Sequence, residues 1–358
     1  MPDIPHSSPL TLHSLRPVKA VALYSGGLDS TLAILAVLKQ NIEVKAVTFL
    51  NHFGCRIEDK SSCAKNPFSA AEKFGFDVRL SHLSEKFIEI VKHPKFGHGK
   101  NMNPCMDCKI LMLREIKEYM NMTGAEFVIT GEVLGQRPMS QRRDALDIID
   151  RESGLKGYIL RPLSAKLLKP TVPEEQGIIN RDLLYAFSGR SRKPQMSLAR
   201  EFGLTDYPAP AGGCLLTEPN YSNRLKELLE HDPNPSVEDL SLLKLGRHFR
   251  MSSQCKVIVG RNEDENNSLL AISGNKWSYL IAENCGSPVT VIRGEASEEI
   301  IHTAASICAR YSNARASGFV DVSVYKGNDK YQVTVSPAKE DIIGNFKIEF
   351  KKTPKNRV

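Results

Sequence analysis

A glycine-rich turn between a predicted strand and a predicted helix constrains this chain more than any other feature. Residues 18–24 (VKAVALY) form an apolar run with β-branched side chains, as in a buried parallel strand. Residues 31–40 (TLAILAVLKQ) combine strong helix formers with apolar side chains on all faces, which predicts a covered helix. Between them the sequence reads SGGLDS. We expect Gly26 and Gly27 to make a sharp turn and to let the backbone approach a ligand closely.

This turn has the properties of a phosphate-binding loop. The first N–H groups of the following helix, and the positive end of its dipole, point at whatever the loop holds. Ser25 and Ser30 add hydroxyl donors, and the carboxylate of Asp29 is a suitable ligand for Mg²⁺ beside phosphate oxygens. The turn lacks the lysine of a Walker loop and is not a GxGxxG motif, so neither of those nucleotide fingerprints applies.

Strand and helix patterns alternate along the first half of the chain. After the first pair, strands are predicted at 44–50, 76–83 and 126–130, and helices at 69–74, at 84–91 and from Lys109 onward. This alternation predicts an α/β fold, a doubly wound parallel sheet with ligands at the carboxyl ends of its strands. The glycine loop and Gly131 both follow strands, so we expect them to face one crevice.

The length of the chain limits the number of its domains, and its charge indicates the kind of partner it can bind. A chain of 358 residues is long enough for two domains or three, and its formal charge of +7 suits a polyanionic partner. The excess is local, since residues 151–200 contain ten Lys or Arg against four Asp or Glu. The densest part of this basic segment is Arg190, Arg192 and Lys193.

Beyond residue 250 the pattern changes to short alternating strands, interrupted by one predicted helix at 298–309. We therefore predict a flexible lead (1–17), an α/β domain (18–217), a helical connector (218–249), a smaller α+β domain (250–340) and a solvated basic tail (341–358). The lead has no pattern of a targeting peptide, and no apolar run is long enough to cross a membrane. We expect a cytoplasmic protein without a membrane partner.

Eight irregularly spaced cysteines do not form a disulfide framework. Cys105 and Cys108 stand three residues apart at a helix start, where the dipole favours thiolate. Such a pair is a redox couple, half of a zinc site, two ligands of an iron–sulfur cluster, or two unligated cap residues. Cys214 follows the loop 207–213 (YPAPAGG), where a packing role is not expected. The remaining cysteines fit small core positions: Cys55, Cys63, Cys255, Cys285 and Cys308.

Four segments together resemble one group of enzymes. Residues 25–30 resemble the SGGxDS loop of the PP-loop ATP pyrophosphatase family, which splits ATP into AMP and pyrophosphate. Residues 103–108 (NPCMDC) resemble a segment of bacterial tRNA 2-thiouridylases, and 212–217 (GGCLLT) the second-cysteine loop of thiouridine-forming PP-loop enzymes. Residues 130–136 (TGEVLGQ), followed by Ser140-Gln141, are similar to a run of tRNA 4-thiouridine synthetases.

The resemblance implies ATP-dependent replacement of a uridine carbonyl oxygen by sulfur in tRNA. Asp29 would hold Mg²⁺, and the end of the second strand would flank the adenine. The residues that we assign to ATP on this basis are Ser25, Gly26, Gly27, Leu28, Asp29, Ser30, Thr31, Thr48, Phe49, Leu50, Gly131 and Gln136. We count Asp29, Cys105, Cys108 and Cys214 as catalytic.

The sulfur chemistry remains open at this point. By analogy with cluster-dependent thiolases, Cys105, Cys108 and Cys214 would hold a [4Fe-4S] cluster whose open iron binds sulfide. The alternatives are a zinc site, closed by His93 or His98, and a persulfide on Cys214 that Cys105 or Cys108 resolves. The sulfur donor would accordingly be sulfide or a persulfide derived from a cysteine desulfurase.

The C-terminal region resembles a second family. Residues 259–266 (VGRNEDEN) and 286–293 (GSPVTVIR) resemble the NFACT-R domain, although Pro288 stands where that family usually has His. The resemblance implies RNA binding. Our candidates for tRNA contact are Arg190, Arg192, Lys193, Arg261 and Arg293, and a second copy of the chain is a further candidate partner, as a homodimer.

Two other functions fit parts of the pattern. An amide- or amidine-forming PP-loop ligase would use ammonia in place of sulfur and would not need Cys214. A ribosome-associated RNA-binding module would use the C-terminal domain without catalysis, although it would not explain Asp29 and the Cys105–Cys108 pair.

Overall fold

A computed structural model describes residues 17–53, 68–209 and 214–349 of the chain, apart from the side chain of Ser84. These residues form two compact units. The first consists of residues 17–51, 68–97 and 104–209, and the second of residues 52–53, 98–103 and 214–349. The predicted lead, Cys55, Cys63, residues 210–213 and the last nine residues lie outside the described part.

The first unit is built on five parallel strands in the order β3-β2-β1-β4-β5. Its elements are β1 (Lys19–Leu23), α1 (Leu28–Leu38), β2 (Glu43–Leu50), α2 (Phe68–Phe74), β3 (Asp77–His82), α3 (Ser84–Lys92), α4 (Cys105–Thr123), β4 (Phe127–Thr130), α5 (Arg143–Glu152), β5 (Ile159–Leu160), α6 (Val172–Glu175) and α7 (Lys193–Glu201), with 3₁₀ turns at Ala165–Leu167 and Arg181–Leu183. The predicted α/β class with a parallel sheet is confirmed.

Strand β1 shows why this sheet is covered on both faces. Its alternate residues Ala20 and Ala22 pack with α1 and α7, whereas Val21 and Leu23 pack with α4 and α5. Side chains of a strand point alternately to opposite faces, so a strand buried on both sides needs a continuous apolar run. The apolar run at 18–24 is therefore the sequence of a central strand.

The sequence analysis missed part of this unit. It predicted no helix or strand after residue 130 of this domain, whereas α5, β5, α6 and α7 are regular elements between Arg143 and Glu201. Helix α7 was overlooked because its residues 193–201 (KPQMSLARE) are mostly polar, although Pro at the second position is a typical helix start.

The second unit carries a six-stranded antiparallel sheet in the order β11-β10-β8-β9-β7-β6. Its elements are α8 (Pro219–His231), α9 (Val237–Leu242), β6 (Arg247–Arg250), β7 (Lys256–Val259), α10 (Glu263–Ser273), β8 (Ser278–Ala282), β9 (Thr290–Arg293), α11 (Glu298–Tyr311), β10 (Val320–Lys326), β11 (Asp329–Val335) and α12 (Glu340–Phe346), with a 3₁₀ turn at Leu215–Thr217. The predicted smaller α+β domain is confirmed as a fold class.

Two expectations for this unit differ from the structure. Helix α11 is accompanied by α10, which the sequence analysis did not predict, because the first turn of α10 is acidic and its sequence is only weakly apolar. The predicted solvated tail begins too early, since α12 and Ile348 are packed. Ile343 is buried in the core, and the N–H of Ile348 bonds the carbonyl of His248. Apolar side chains at those positions explain why this segment docks.

Within residues 17–53, 68–209 and 214–349, no helix has the combination of length and apolar character needed to cross a membrane.

Candidate active site

The predicted phosphate loop joins β1 to α1. Gly26 has φ +70°, a backbone conformation that side-chain-bearing residues rarely adopt. Gly27 is the N-cap of α1 with extended backbone (φ −88°, ψ 165°), and it has no side chain to occupy the first helical N–H groups. The turn therefore needs glycine at Gly26 for conformation and leaves the helix start open for an anion.

Hydroxyl groups fix the shape of this loop. The Ser30 and Thr31 hydroxyls each donate to the carbonyl of Gly27 at 3.0 Å. The Ser30 Oγ also accepts from the Ser25 N–H at 3.3 Å and lies 3.1 Å from the Ser25 Oγ. The loop is thus held in one conformation before any ligand binds, which lowers the entropy that binding must overcome.

Gly131, at the end of β4, contacts the loop through its backbone. A Cβ at this position would lie 2.5 Å from the Cα and N of Ser30 and 2.6 Å from the carbonyl carbon of Asp29. Only glycine permits this approach. The expectation that Gly131 and the loop belong to one crevice is therefore correct for the first unit.

Asp29 and Gln136 are joined directly. The Gln136 amide donates from Nε2 to the Asp29 Oδ2 at 3.0 Å. The turn that carries Gln136 is closed by Gln141, which bonds to the N–H of Arg137 through Oε1 at 3.1 Å and to the N–H of Gly135 through its carbonyl at 2.7 Å. This explains why Gln136 and Gln141 occur together in the TGEVLGQ…SQ run.

The second oxygen of Asp29 is buried without a hydrogen-bond partner among the described residues. Burial raises the pKa of this carboxyl, while the Gln136 hydrogen bond and the charges of Arg192 and Arg137 oppose the rise. An anion with one unpaired buried oxygen fits a hard cation such as Mg²⁺, which prefers carboxylate ligands. Arg192, predicted to contact RNA, therefore acts electrostatically on Asp29.

The end of β2, predicted to flank the adenine, extends beyond its pairing with β1. Thr48, Phe49 and Leu50 pair with Leu80, Ser81 and His82 of β3. The Thr48 hydroxyl is buried without a hydrogen-bond partner among the described residues, which leaves it available for a ligand. Leu50 accepts from the N–H of Leu83 through its carbonyl, so this strand end is fixed.

A buried charge network that the sequence analysis did not predict stands next to Gly131. Arg161 donates to Glu132 at 3.0 Å and to both oxygens of Asp150, and the Lys109 ammonium lies 3.7 Å from Glu132. Burial alone would raise the pKa of Glu132, yet Lys109 and Arg161 hold it below its usual range. The network connects the start of α4 to the end of β4. The one hint of it in the sequence is the charged residue Glu132, directly after Gly131.

The Cys105–Cys108 pair occupies the first turn of α4, and both side chains are half-buried. Asp107 in the same turn accepts from the N–H groups of Lys95 (3.0 Å) and Phe96 (3.1 Å), which anchors the preceding loop. The prediction of two cysteines at a helix N-terminus is correct. An open helix start favours the thiolate form of such cysteines.

Cys214 belongs to the second unit, where it is half-buried and donates from Sγ to the carbonyl of Phe53 at 3.5 Å. No group of three or more His, Cys, Asp or Glu side chains among the described residues is arranged to hold a metal ion. Of the cysteines expected to be small core residues, Cys255 and Cys308 are fully buried.

The two arginines predicted for RNA in the second unit are ion-paired. Arg293 bonds Asp239 at 2.8 Å and Asp232 at 3.0 Å, and Arg261 bonds Glu265 at 2.6 Å. Their charges are thus compensated, and Arg293 ties β9 to the segment around α9. Arg190 and Lys193 in the first unit are exposed.

The chain was compared with known proteins. Residues 17–167 match a family described as thiamine biosynthesis protein (ThiI), and residues 246–347 match one described as NFACT protein RNA binding domain. The resemblance to thiouridine-forming PP-loop proteins and to the NFACT-R domain, predicted from short motifs, is thus confirmed over these two segments.

Individual relatives are distant. The chain is 21% identical over 291 residues to a tRNA-specific 2-thiouridylase MnmA of Pseudomonas fluorescens, an alignment that covers 76% of this chain and 71% of the relative. It is 29% identical over 145 residues to a probable tRNA sulfurtransferase of Thermococcus kodakarensis, covering 40% of this chain and 36% of that protein. A 4-thiouridine synthetase solved with RNA and ATP aligns over 52% of each chain at 21% identity and a TM-score of 0.33.

Proposed function

We propose that this protein is an ATP-dependent tRNA sulfurtransferase that adenylates a uridine carbonyl oxygen and replaces it with sulfur. The observation that carries the proposal is the SGGLDS loop closed by Gly131 and Gln136, with one buried Asp29 oxygen left unpaired. The names of the relatives supply the substrate class, tRNA, and the type of group transferred.

The first half-reaction follows from the loop. The uridine carbonyl oxygen attacks the α-phosphorus of ATP, a new P–O bond forms, and pyrophosphate leaves with the electrons of the broken bond. The N–H groups at the start of α1 and the hydroxyl of Ser25 would stabilise charge on the leaving group. Asp29 would hold Mg²⁺, which when bound neutralises phosphate charge.

The second half-reaction needs a sulfur nucleophile. A persulfide on one cysteine attacks the activated carbon and AMP leaves. A second cysteine thiolate then attacks the sulfur atom of the persulfide cysteine, so that a protein disulfide forms and the thiocarbonyl base is released. A dithiol reductant would restore the thiols. This route uses cysteine thiols alone and needs no iron–sulfur cluster.

Contacts within the second unit fix the segment that follows Cys214. The loop 98–103, which ends just before Pro104 and Cys105, is bonded to the segment that follows Cys214. The N–H of Met102 bonds the carbonyl of Leu216 at 3.2 Å, and the Asn101 amide bonds the carbonyl of Thr217 at 2.8 Å.

The test is a thiolation assay. Full-length protein, prepared without oxygen, is incubated with ATP, Mg²⁺, tRNA and a persulfide donor. Pyrophosphate is measured, and digested tRNA is analysed for thiouridine by mass spectrometry. We expect both products from the wild type, neither from Asp29→Asn, pyrophosphate alone from Cys214→Ala, and wild-type yields from the control Cys285→Ala.

Other outcomes select the other functions. Full activity of Cys214→Ala with ammonia as nucleophile would favour an amide- or amidine-forming ligase. RNA binding without ATP turnover under any condition would leave an RNA-binding module. Iron and sulfide assays of protein prepared without oxygen test the cluster directly. About four iron atoms per chain would favour a cluster-dependent mechanism over the persulfide route.

A further inference from the structure

Gln195, which no motif identified, is the most deeply buried amide side chain of the first unit. It is the third residue of α7 and is completely inaccessible to solvent. Neither its Nε2 nor its Oε1 has a hydrogen-bond partner among the described residues. A buried amide with both groups unsatisfied destabilises the folded protein, so such a residue needs a reason other than packing.

The neighbour of Gln195 is Asp29. Burial raises the pKa of the Asp29 carboxyl, and the polar side chain of Gln195 is the smallest of the influences that oppose this rise, although it makes no hydrogen bond of normal geometry with Asp29. Asp29 Oδ1 is itself buried and unpaired, and α7 packs against α1, which carries Asp29. Two unsatisfied polar groups thus lie near each other on adjacent helices, beside the glycine loop.

The chemistry of the two groups defines what would satisfy them. An amide donates through Nε2 and accepts through Oε1, whereas a carboxylate only accepts. A water molecule bound to a divalent cation donates to both acceptors, and a phosphate oxygen accepts from the amide. A hydrated divalent cation together with a phosphate group supplies both partners, and neither alone does so.

We infer that Gln195 is a positioning residue of the nucleotide site, which with Asp29 orders the hydrated cation and donates to a phosphate oxygen of the pyrophosphate moiety. This inference rests on the proposed function. The inference explains why position 195 has an amide. A carboxylate there would place a second negative charge beside Asp29 and would repel phosphate.

The test uses Gln195→Met, which keeps the length of the side chain and removes its polar atoms. Calorimetry with pyrophosphate at several Mg²⁺ concentrations should show about tenfold weaker binding or worse, as expected for the loss of one hydrogen bond to a charged group. The Mg²⁺ concentration that gives half-maximal binding should rise. The melting temperature of the unliganded protein should stay level or increase, because an unsatisfied amide has been removed.

The control is Met196→Leu, an exposed position on the same helix, which should bind pyrophosphate as the wild type does. If Gln195→Met does not fold, Gln195→Leu replaces it and should weaken pyrophosphate binding in the same way, because it also removes both polar atoms. Wild-type affinity and Mg²⁺ dependence in the folded Gln195 variant would overturn the inference while leaving the proposed function intact. If wild-type protein binds neither pyrophosphate nor ATP, the proposed function itself fails.

Discussion

The close contact between Gly131 and the phosphate loop predicts what one added methyl group would do. In Gly131→Ala the new Cβ would lie 2.5 Å from two backbone atoms of Ser30 and 2.6 Å from one of Asp29. Non-bonded carbon atoms normally stay about 3.5 Å apart. Backbone atoms cannot rotate away as a side chain does, so the end of β4 and the loop must separate by about 1 Å.

This displacement should affect both the folding stability and the catalytic rate. Overpacking of a close contact costs about 1–3 kcal/mol of folding stability, and a 1 Å misplacement of catalytic groups can cost about 10²-fold in rate. We therefore expect Gly131→Ala to remain folded, with a lower urea midpoint, and to release pyrophosphate at about one hundredth of the wild-type rate. The Asp29–Gln136 hydrogen bond would be strained by the same movement.

The assay pairs urea unfolding with tRNA-dependent pyrophosphate release. Gly318→Ala is the matched control, because no atom lies within 4 Å of its ideal Cβ, and this variant should behave as wild type in both measurements. A Gly131→Ala protein with wild-type rate and wild-type midpoint would refute the argument that this contact holds the loop.

Three further predictions concern charge. Because burial raises the pKa of Asp29, acidification should already weaken Mg²⁺-dependent pyrophosphate binding at pH values above the usual aspartate range. For the same reason, folding stability should fall as the pH rises through the pKa of this carboxyl. An affinity that does not change between about pH 7 and pH 4 would contradict the first expectation. The double variant Arg190→Glu/Lys193→Glu should bind tRNA more weakly, and the slope of log affinity against log salt concentration should decrease in magnitude by roughly two. An unchanged slope would exclude phosphate contact at these two exposed residues. Glu227→Gln should lower the free energy of unfolding, measured with urea, by about 3–5 kcal/mol, because it removes the carboxylate partner of the buried Lys256. An unchanged urea midpoint would show that Lys256 finds another partner.

Local sequence determined the elements that carry the chemistry. Gly26 fixes a left-handed turn, the apolar run before it makes a strand covered on both faces, and the cysteine pair begins a helix. These features depend on backbone conformation and on hydrophobic periodicity over a few residues, which a single sequence displays directly. The parallel sheet followed from the alternation of such elements.

Segments that depend on packing were harder to predict. Helix α7 has a polar sequence and is identified as part of the unit only because Leu198 and Ala199 pack against the sheet. Arg293 was expected to face RNA, but Asp239, 54 residues earlier in the chain, pairs with it. Sequence shows that an arginine is basic, and only its neighbours decide whether that charge is free.

The identity of the loop, the helix start and the cysteine pair was therefore set by sequence alone, because glycine conformation, helix dipoles and side-chain chemistry are properties of short segments. The tertiary structure decided which groups meet there. Gln136 reaches Asp29 from 107 residues away, and Gly131 approaches Ser30. Gln195 is buried near Asp29 and has no hydrogen-bond partner in the part of the chain that the structure describes. The physical reason is that hydrogen bonding and desolvation depend on distances between atoms, which the order of residues along the chain does not specify.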